Sequence, residues 1–283
     1  MKSYKIKSYA KVNVGLQILN QRPDGYHNIN TVFQELDFFD TIELKKKDNG
    51  CEFHSNVNWL RNDSTNLCVL AFEKFSEEYD VRGISINLVK QIPSGGGLGG
   101  GSSNAAAILK GLCHLYSIEP IYEKLSKIAL ALGADVPFFL KGGMQIASGI
   151  GEQLVEMSGS INGVYLLIIP KFKIDTKWAY KSLKKFLERP KVEVNFADLL
   201  KRDKTPFRLF ENDFESIVIP AYPEIAIIKE KLWSRGPKFV SLSGSGSTVF
   251  GIFDDEADAK SAESLFSHKY STFIANPVTH MLK

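Results

Sequence analysis

The sequence predicts an α+β fold in two domains, and three patterns carry the prediction. Ile84, Ile86 and Leu88 alternate with Ser85 and Asn87, which reads as a half-buried strand. Two helical periodicities follow it, one through Ala105, Leu109, Leu112 and Tyr116, the other through Ile121, Leu125, Ile128 and Leu132. The stretch Met157–Gly163 then has linker character, and beyond it short strands and helices are mixed as in a small α+β sandwich. The expected domains are therefore residues 1–157 and 158–283.

The chain opens on Ala10, Val12, Val14, Leu16 and Ile18, alternating with Lys11, Asn13, Gly15 and Gln17, a strand with one buried face. Lys11 and Asn13 share the other face, which is either solvated or turned into a substrate cleft. Pro23-Asp24-Gly25 marks a turn. On the residues alone, Tyr26 and His27 read as a half-covered pair beside that turn, with an aromatic platform and hydrogen-bonding imidazole as the functional alternative. Thr31 to Lys45 is strand-like and breaks near Phe39-Asp40, and Lys47 to Asn62 reads as irregular and polar. Leu67, Leu70, Ala71 and Phe75 mark a helix capped near Asp63-Ser64.

Between the strand that ends at Lys90 and the next helix lies Pro93-Ser94-Gly95-Gly96-Gly97-Leu98-Gly99-Gly100-Gly101-Ser102-Ser103-Asn104. Glycine loses the most backbone freedom on folding, so a run this dense needs a reason. Ser102, Ser103 and Asn104 stand where N-cap residues belong. A loop without side chains lets backbone N–H groups converge, and a helix start adds partial positive charge. The stretch is therefore expected to hold a nucleotide phosphate chain. It is not a Walker A loop, because no lysine follows the last glycine. A dinucleotide fold would place a strand where the second helix falls, and a flexible linker would lack the flanking core elements.

The second helix stops at Gly133. Asp135 follows, ahead of Pro137 and an apolar stretch read as a strand. It is either a turn aspartate or a carboxylate held for chemistry, and if buried it needs a cation, for which Lys11 is the candidate. Residues 141–151 read as a hairpin, Val164–Ile169 as a buried strand and Ile174–Tyr180 as the entry to a helix, with helical patches to Ser216. Pro223 opens a helix that ends at Gly236. Val240–Phe253 reads as strand, Gly-Ser loop and strand, either a plain hairpin or a second set of backbone amides facing the cleft. A helix over Glu256–Phe266 and a strand over Tyr270–Ala275 close the chain.

Composition narrows the classes. The 283 residues carry 44% hydrophobic and 24% charged side chains and a net charge of only +3, with no basic cluster suited to nucleic acid and no run long enough to span a membrane. No targeting segment is read at the start, so a cytoplasmic protein is expected. Cys51, Cys68 and Cys113 are expected to be free thiols.

Three stretches together resemble one family. Pro93–Asn104 is similar to the central glycine motif of the GHMP kinases (galacto-, homoserine, mevalonate and phosphomevalonate kinases). Ala10-Lys11-Val12-Asn13 is similar to the first motif and Leu242–Gly246 to the third, in the family's order. Asp24-Gly25-Tyr26-His27, the doubled glycine triplet and Leu132-Gly133-Ala134-Asp135-Val136-Pro137 narrow the resemblance to a branch acting on a cytidylyl-methylerythritol in non-mevalonate isoprenoid synthesis. The resemblance implies an N-terminal domain like domain 2 of ribosomal protein S5 and a ferredoxin-like C-terminal domain. It implies transfer of the ATP γ-phosphate to the 2-hydroxyl of the erythritol unit, with ATP and Mg2+ as cofactors.

Carried onto this chain, the resemblance makes Asp135 the general base and Lys11 its cationic partner. Pro93, Ser94, Gly95, Gly96, Gly97, Leu98, Gly99, Gly100, Gly101, Ser102 and Ser103 hold the ATP phosphates. Tyr26 stacks on cytosine and His27 reads its polar edge. Asn13, Phe33, Lys90, Thr176 and Tyr180 line the substrate side. Ser103 is a candidate metal ligand by the same analogy. Another GHMP kinase, of homoserine or mevalonate type, and a silent nucleotide- or sugar-binding relative remain the alternatives.

Overall fold

The computed structural model describes residues 3–183 and 192–279. The chain opens on two long strands, β1 (Ser3–Gln21) and β2 (His27–Lys46), followed by β3 (Gly50–Ser55), α1 (Leu67–Glu78) and β4 (Gly83–Val89). Next come α2 (Gly100–Tyr116), α3 (Tyr122–Leu132), the short α4 (Phe138–Lys141), β5 (Met144–Ser148) and β6 (Gln153–Met157). The remainder is β7 (Val164–Ile169), α5 (Thr176–Leu183), α6 (Phe196–Leu200), α7 (Glu215–Ala221), α8 (Pro223–Trp233), β8 (Phe239–Leu242), β9 (Val249–Phe253), α9 (Glu256–Glu263) and β10 (Ser271–Ala275).

These elements form two compact units, neither of which is one length of chain. The first comprises residues 1–10, 39–94 and 99–141, the second 11–38, 95–98 and 142–283. β1 and β2 pair with each other and run through both, so a single cut after Met157 does not describe the units.

In the first unit the later part of β2 pairs antiparallel with β4, from Thr41↔Val89 to Lys46↔Ile84. β4 pairs parallel with β3, and α1 supplies the crossover that a parallel pair requires. Helix α2 packs against α1, α3 and α4. Its small and aliphatic residues Ala105, Ala106, Ala107, Ile108, Leu109 and Leu112 are buried.

In the second unit the early part of β2 pairs with β5, and β5 and β6 form the expected hairpin. The C-terminal sheet is antiparallel in the order β10-β7-β9-β8. With helices between β7 and β8 and between β9 and β10, this is the β-α-β-β-α-β arrangement of a ferredoxin-like domain. Its core joins Leu166, Ile168 and Val249 of the sheet to Ile225, Ile228 and Leu232 of α8 and to Ala259 and Ala262 of α9.

Several local expectations need correcting. β2 does not break at Phe39-Asp40 but is continuous, because Asp40 points inward and is satisfied there. Residues 50–55, read as irregular, form β3, whose polar side chains ride a strand held by β4. The cap of α1 is Asn66, which accepts from Cys68 N–H, rather than Asp63 or Ser64. Pro137-Phe138-Phe139 leads into helix α4 instead of a strand. The helical reading between Leu183 and Ser216 falls partly outside the described residues, and within them α6 and the start of α7 account for it. Among the described residues, no helix is long and apolar enough to cross a membrane.

Candidate active site

The glycine stretch links β4 to α2. Gly95, Gly97 and Gly99 have φ of +75°, +79° and +69°, the left-handed region that side chains resist. Gly99 itself is the N-cap of α2. Ser102, Ser103 and Asn104, expected from the sequence at the N-cap, instead lie inside the first turns and do not cap the helix.

The loop's carbonyl groups explain its orientation. Gly96 O accepts from Thr248 N–H at 3.2 Å, Gly97 O from Ser243 Oγ at 2.8 Å and Leu98 O from Lys11 N–H at 3.0 Å. Gly99 O accepts from Ser103 N–H at 2.9 Å. In a planar trans peptide the N–H of the next residue points opposite to the carbonyl. Each N–H that follows one of these carbonyls therefore points away from the donor holding that carbonyl. Backbone N–H groups at a helix start suit an anion.

Three of the second-unit candidates form one cluster. The Lys11 ammonium donates to Asn13 Oδ1 at 2.7 Å and lies 4.7 Å from the centroid of the Phe33 ring. Asn13 Nδ2 donates to Thr31 Oγ1 at 3.0 Å, and Thr31 in turn donates to the Gly15 carbonyl. Lys11 is only 4% exposed and Asn13 2%, so this strand face is not a solvated one. Gly244 of the third motif sits beside the cluster: a Cβ there would meet Asn13 Oδ1 at 3.4 Å and Gly97 Cα at 3.8 Å.

A second group surrounds His27. Its ring stacks on Tyr180 of α5 at 5.2 Å, and Tyr180 meets Phe214 edge-on at 5.0 Å. His27 is buried whereas Tyr26 is 60% exposed, so the two neighbours are not the evenly half-covered pair read from sequence. One turn before Tyr180, Thr176 hydrogen-bonds Ser245 of the third motif at 3.0 Å.

In the first unit, Asp135 lies half-buried in the turn between Gly133, which ends α3, and α4. Val136 N–H donates to Gly133 O at 3.1 Å, and the Lys110 ammonium of α2 donates to Phe139 O at 2.8 Å. The carboxylate thus stands on a turn braced by two helices. Lys90, expected on the substrate side, has its ammonium paired with Asp40 beside the start of α2.

Sequence reasoning missed Asn212. It is 4% exposed and donates to Leu242 O at 2.8 Å and to Gly244 O at 2.9 Å, while its Oδ1 accepts from Phe214 N–H at 3.0 Å. It shapes the third motif although nothing in Glu211-Asn212-Asp213 distinguishes it from a polar loop. Asn212→Ala leaves two buried carbonyls and an N–H without these partners. A stability loss of about 1–3 kcal/mol is expected, read in a denaturant titration. The cysteines take no part: burial pushes the Cys51 and Cys113 thiols up to about 11 and Cys68 to about 12, so they stay protonated near neutral pH.

Residues 66–143 match the GHMP kinases N terminal domain, and residues 195–271 match the GHMP kinases C terminal domain. A 4-diphosphocytidyl-2-C-methyl-D-erythritol kinase of Chlorobaculum tepidum is 40% identical over 275 residues, 95% of this chain and 96% of its own length. The chain belongs to the GHMP kinase family. A second relative of this GHMP kinase, from Chlorobium limicola and of the same name, is 38% identical over 98% of both chains. The crystal structure of a 4-(cytidine 5'-diphospho)-2C-methyl-D-erythritol kinase matches with a TM-score of 0.85 and 28% identity, covering 98% of this kinase and 100% of that chain. A homoserine kinase from Cytophaga hutchinsonii has a TM-score of 0.74 at 18% identity, covering 99% of this kinase and 95% of that chain, which shows a shared fold.

Proposed function

We propose that this GHMP kinase transfers the ATP γ-phosphate to the 2-hydroxyl of 4-diphosphocytidyl-2-C-methyl-D-erythritol. The observation that carries this reading is the aromatic group around His27. An exposed tyrosine precedes a buried imidazole that is itself stacked on Tyr180, which suits a flat heterocycle carrying hydrogen-bonding groups. Likeness over nearly the whole chain to relatives named for that cytidylyl alcohol supports it.

In this reading Tyr26 stacks on cytosine and His27 meets its polar edge. Binding the base remote from the reacting hydroxyl holds that hydroxyl in line with the phosphorus. Residues 93–103 hold the ATP phosphates through backbone N–H groups. Asn13, Phe33, Thr176 and Tyr180 line the alcohol side, whereas Lys90 acts on the loop side. Asp135 accepts the proton of the tertiary hydroxyl as the oxygen–phosphorus bond forms, and the Lys11 ammonium offsets negative charge on that carboxylate or on the transferring group.

Magnesium ion, when bound, neutralises charge on the β- and γ-phosphates. Among the described residues no group of three or more His, Cys, Asp or Glu could hold a metal ion. Ser103 Oγ, which accepts a hydrogen bond from Ser8 Oγ at 2.7 Å, is the protein oxygen we assign to magnesium by family analogy.

The test is ADP release in a coupled assay with magnesium-ATP. The cytidylyl alcohol should turn over, and mevalonate, homoserine and uncytidylated methylerythritol should not. Turnover of one of the others would keep the kinase and discard the cytosine site. Tyr26→Ala should raise KM for the cytidylyl substrate roughly 10-fold, the order expected for one lost base stack, with KM for ATP little changed. Equal rises in both constants would count against the stacking role.

A further inference from the structure

We infer that Asp40 is a positioning residue that ties together the two ends of the phosphate loop, an inference that rests on reading residues 93–103 as the ATP site. Asp40 is 0% exposed in the middle of β2, on the same inward side as Ile42 and Leu44. Burying a carboxylate is costly unless donors surround it, and an apolar residue of similar volume would often serve the core as well or better. Here the donors come from both flanks of the glycine loop.

The division between the two oxygens is specific. Oδ1 accepts from Gln91 N–H at 2.6 Å and Ile92 N–H at 2.8 Å, the last residues before Pro93. Oδ2 accepts from Asn104 Nδ2 at 2.8 Å and from the Lys90 ammonium. One oxygen therefore fixes the chain entering the loop, and the other fixes the helix leaving it. Asn104 also donates to Ser8 Oγ at 2.8 Å, and Ser8 donates to Ser103 Oγ at 2.7 Å, so the hold extends to the first turn of α2. The Lys90 ammonium lies against Gly100, where a Cβ would stand 2.9 Å from Nζ. A cation kept there adds to the positive end of the helix. Asp40 thus sets the spacing of the loop ends and anchors a charge at the phosphate side, without touching nucleotide.

The experiment follows from that division. Asp40→Asn retains Oδ1 for Gln91 and Ile92 but turns a donor toward Asn104 and Lys90. Its KM for ATP and its calorimetric Kd for ATP should rise roughly 10-fold or more, the order set by a lost charge-assisted hydrogen bond. KM for the alcohol should stay within about twofold. The exchange Asp40→Asn with Asn104→Asp restores a donor–acceptor pair and should recover part of the ATP affinity lost in either single variant. A purely structural role would instead lower the folded fraction, and with it apparent kcat, leaving both KM values unchanged.

Should Asp40→Asn fail to fold, Lys90→Met leaves the three other donors in place and should still weaken ATP selectively. An unchanged ATP constant in a folded Asp40→Asn or Lys90→Met protein, or an exchange variant no better than the single ones, would overturn the inference. A wild-type protein that binds no ATP would overturn the loop reading beneath it.

Discussion

Asp135→Ala is expected to lower kcat by roughly 10²–10⁴-fold, the usual contribution of a positioned base. The nucleotide Kd should change little, because the glycine loop makes its own case for phosphate binding through backbone groups. Asp135 stands on a turn whose Val136 N–H to Gly133 O bond and Lys110 to Phe139 O brace do not involve its own side chain, so those bonds survive its removal. Asp135→Asn refines the test. Asparagine can still accept a hydrogen bond from the substrate hydroxyl through Oδ1 but cannot take its proton. If the asparagine and alanine variants are equally slow, proton acceptance is the main contribution. If the asparagine variant recovers most of the rate, the carboxylate chiefly orients the alcohol, as a loose phosphoryl-transfer state permits. Near-normal turnover in the alanine variant would refute the role outright.

Gly97→Ala is expected to have the second large effect. Gly97 has φ of +79°, where an L side chain is strained by roughly 1–2 kcal/mol. A Cβ at this position would also overlap the Ser243 carbonyl oxygen, while Ser243 Oγ already donates to Gly97 O at 2.8 Å. Two backbones thus meet with no room between them. The strain alone should lower Tm by about 2–8 °C. Displacing the loop by the width of a methyl group should cost kcat/KM for ATP about 10²-fold. A variant that keeps its ATP kinetics would mean that Gly97 N–H does not serve the phosphates.

Much of this was legible in the sequence, for definable reasons. The glycine loop, its flanking strand and helix, the helix end at Gly133 and the C-terminal sandwich all follow from local period and turn chemistry. The proposed phosphate role of this loop rests on backbone groups, which glycine density announces directly. What escaped were side chains whose significance depends on distant partners. Asp40 read as a strand break because a charge within an apolar run resembles a turn, and its donors lie 50 to 64 residues away. Asn212 read as loop because its partners, Leu242 O and Gly244 O, belong to another motif. His27 could not be told from a turn neighbour until α5 placed Tyr180 against it.

The interleaving of the two units has a consequence for inheritance. The chain passes from one unit to the other five times, at 10/11, 38/39, 94/95, 98/99 and 141/142. No single crossover between genes can therefore exchange one unit intact and leave the other whole. Gly95–Leu98, four residues that belong to the second unit, are flanked on both sides by the first. If the proposed roles of Tyr26, His27, Thr176 and Tyr180 hold, a new acceptor specificity is reached more readily by point substitution in α5 and the Asp24–His27 turn than by swapping a module. Directed evolution of this scaffold should follow the same route, drawing its libraries from those two segments.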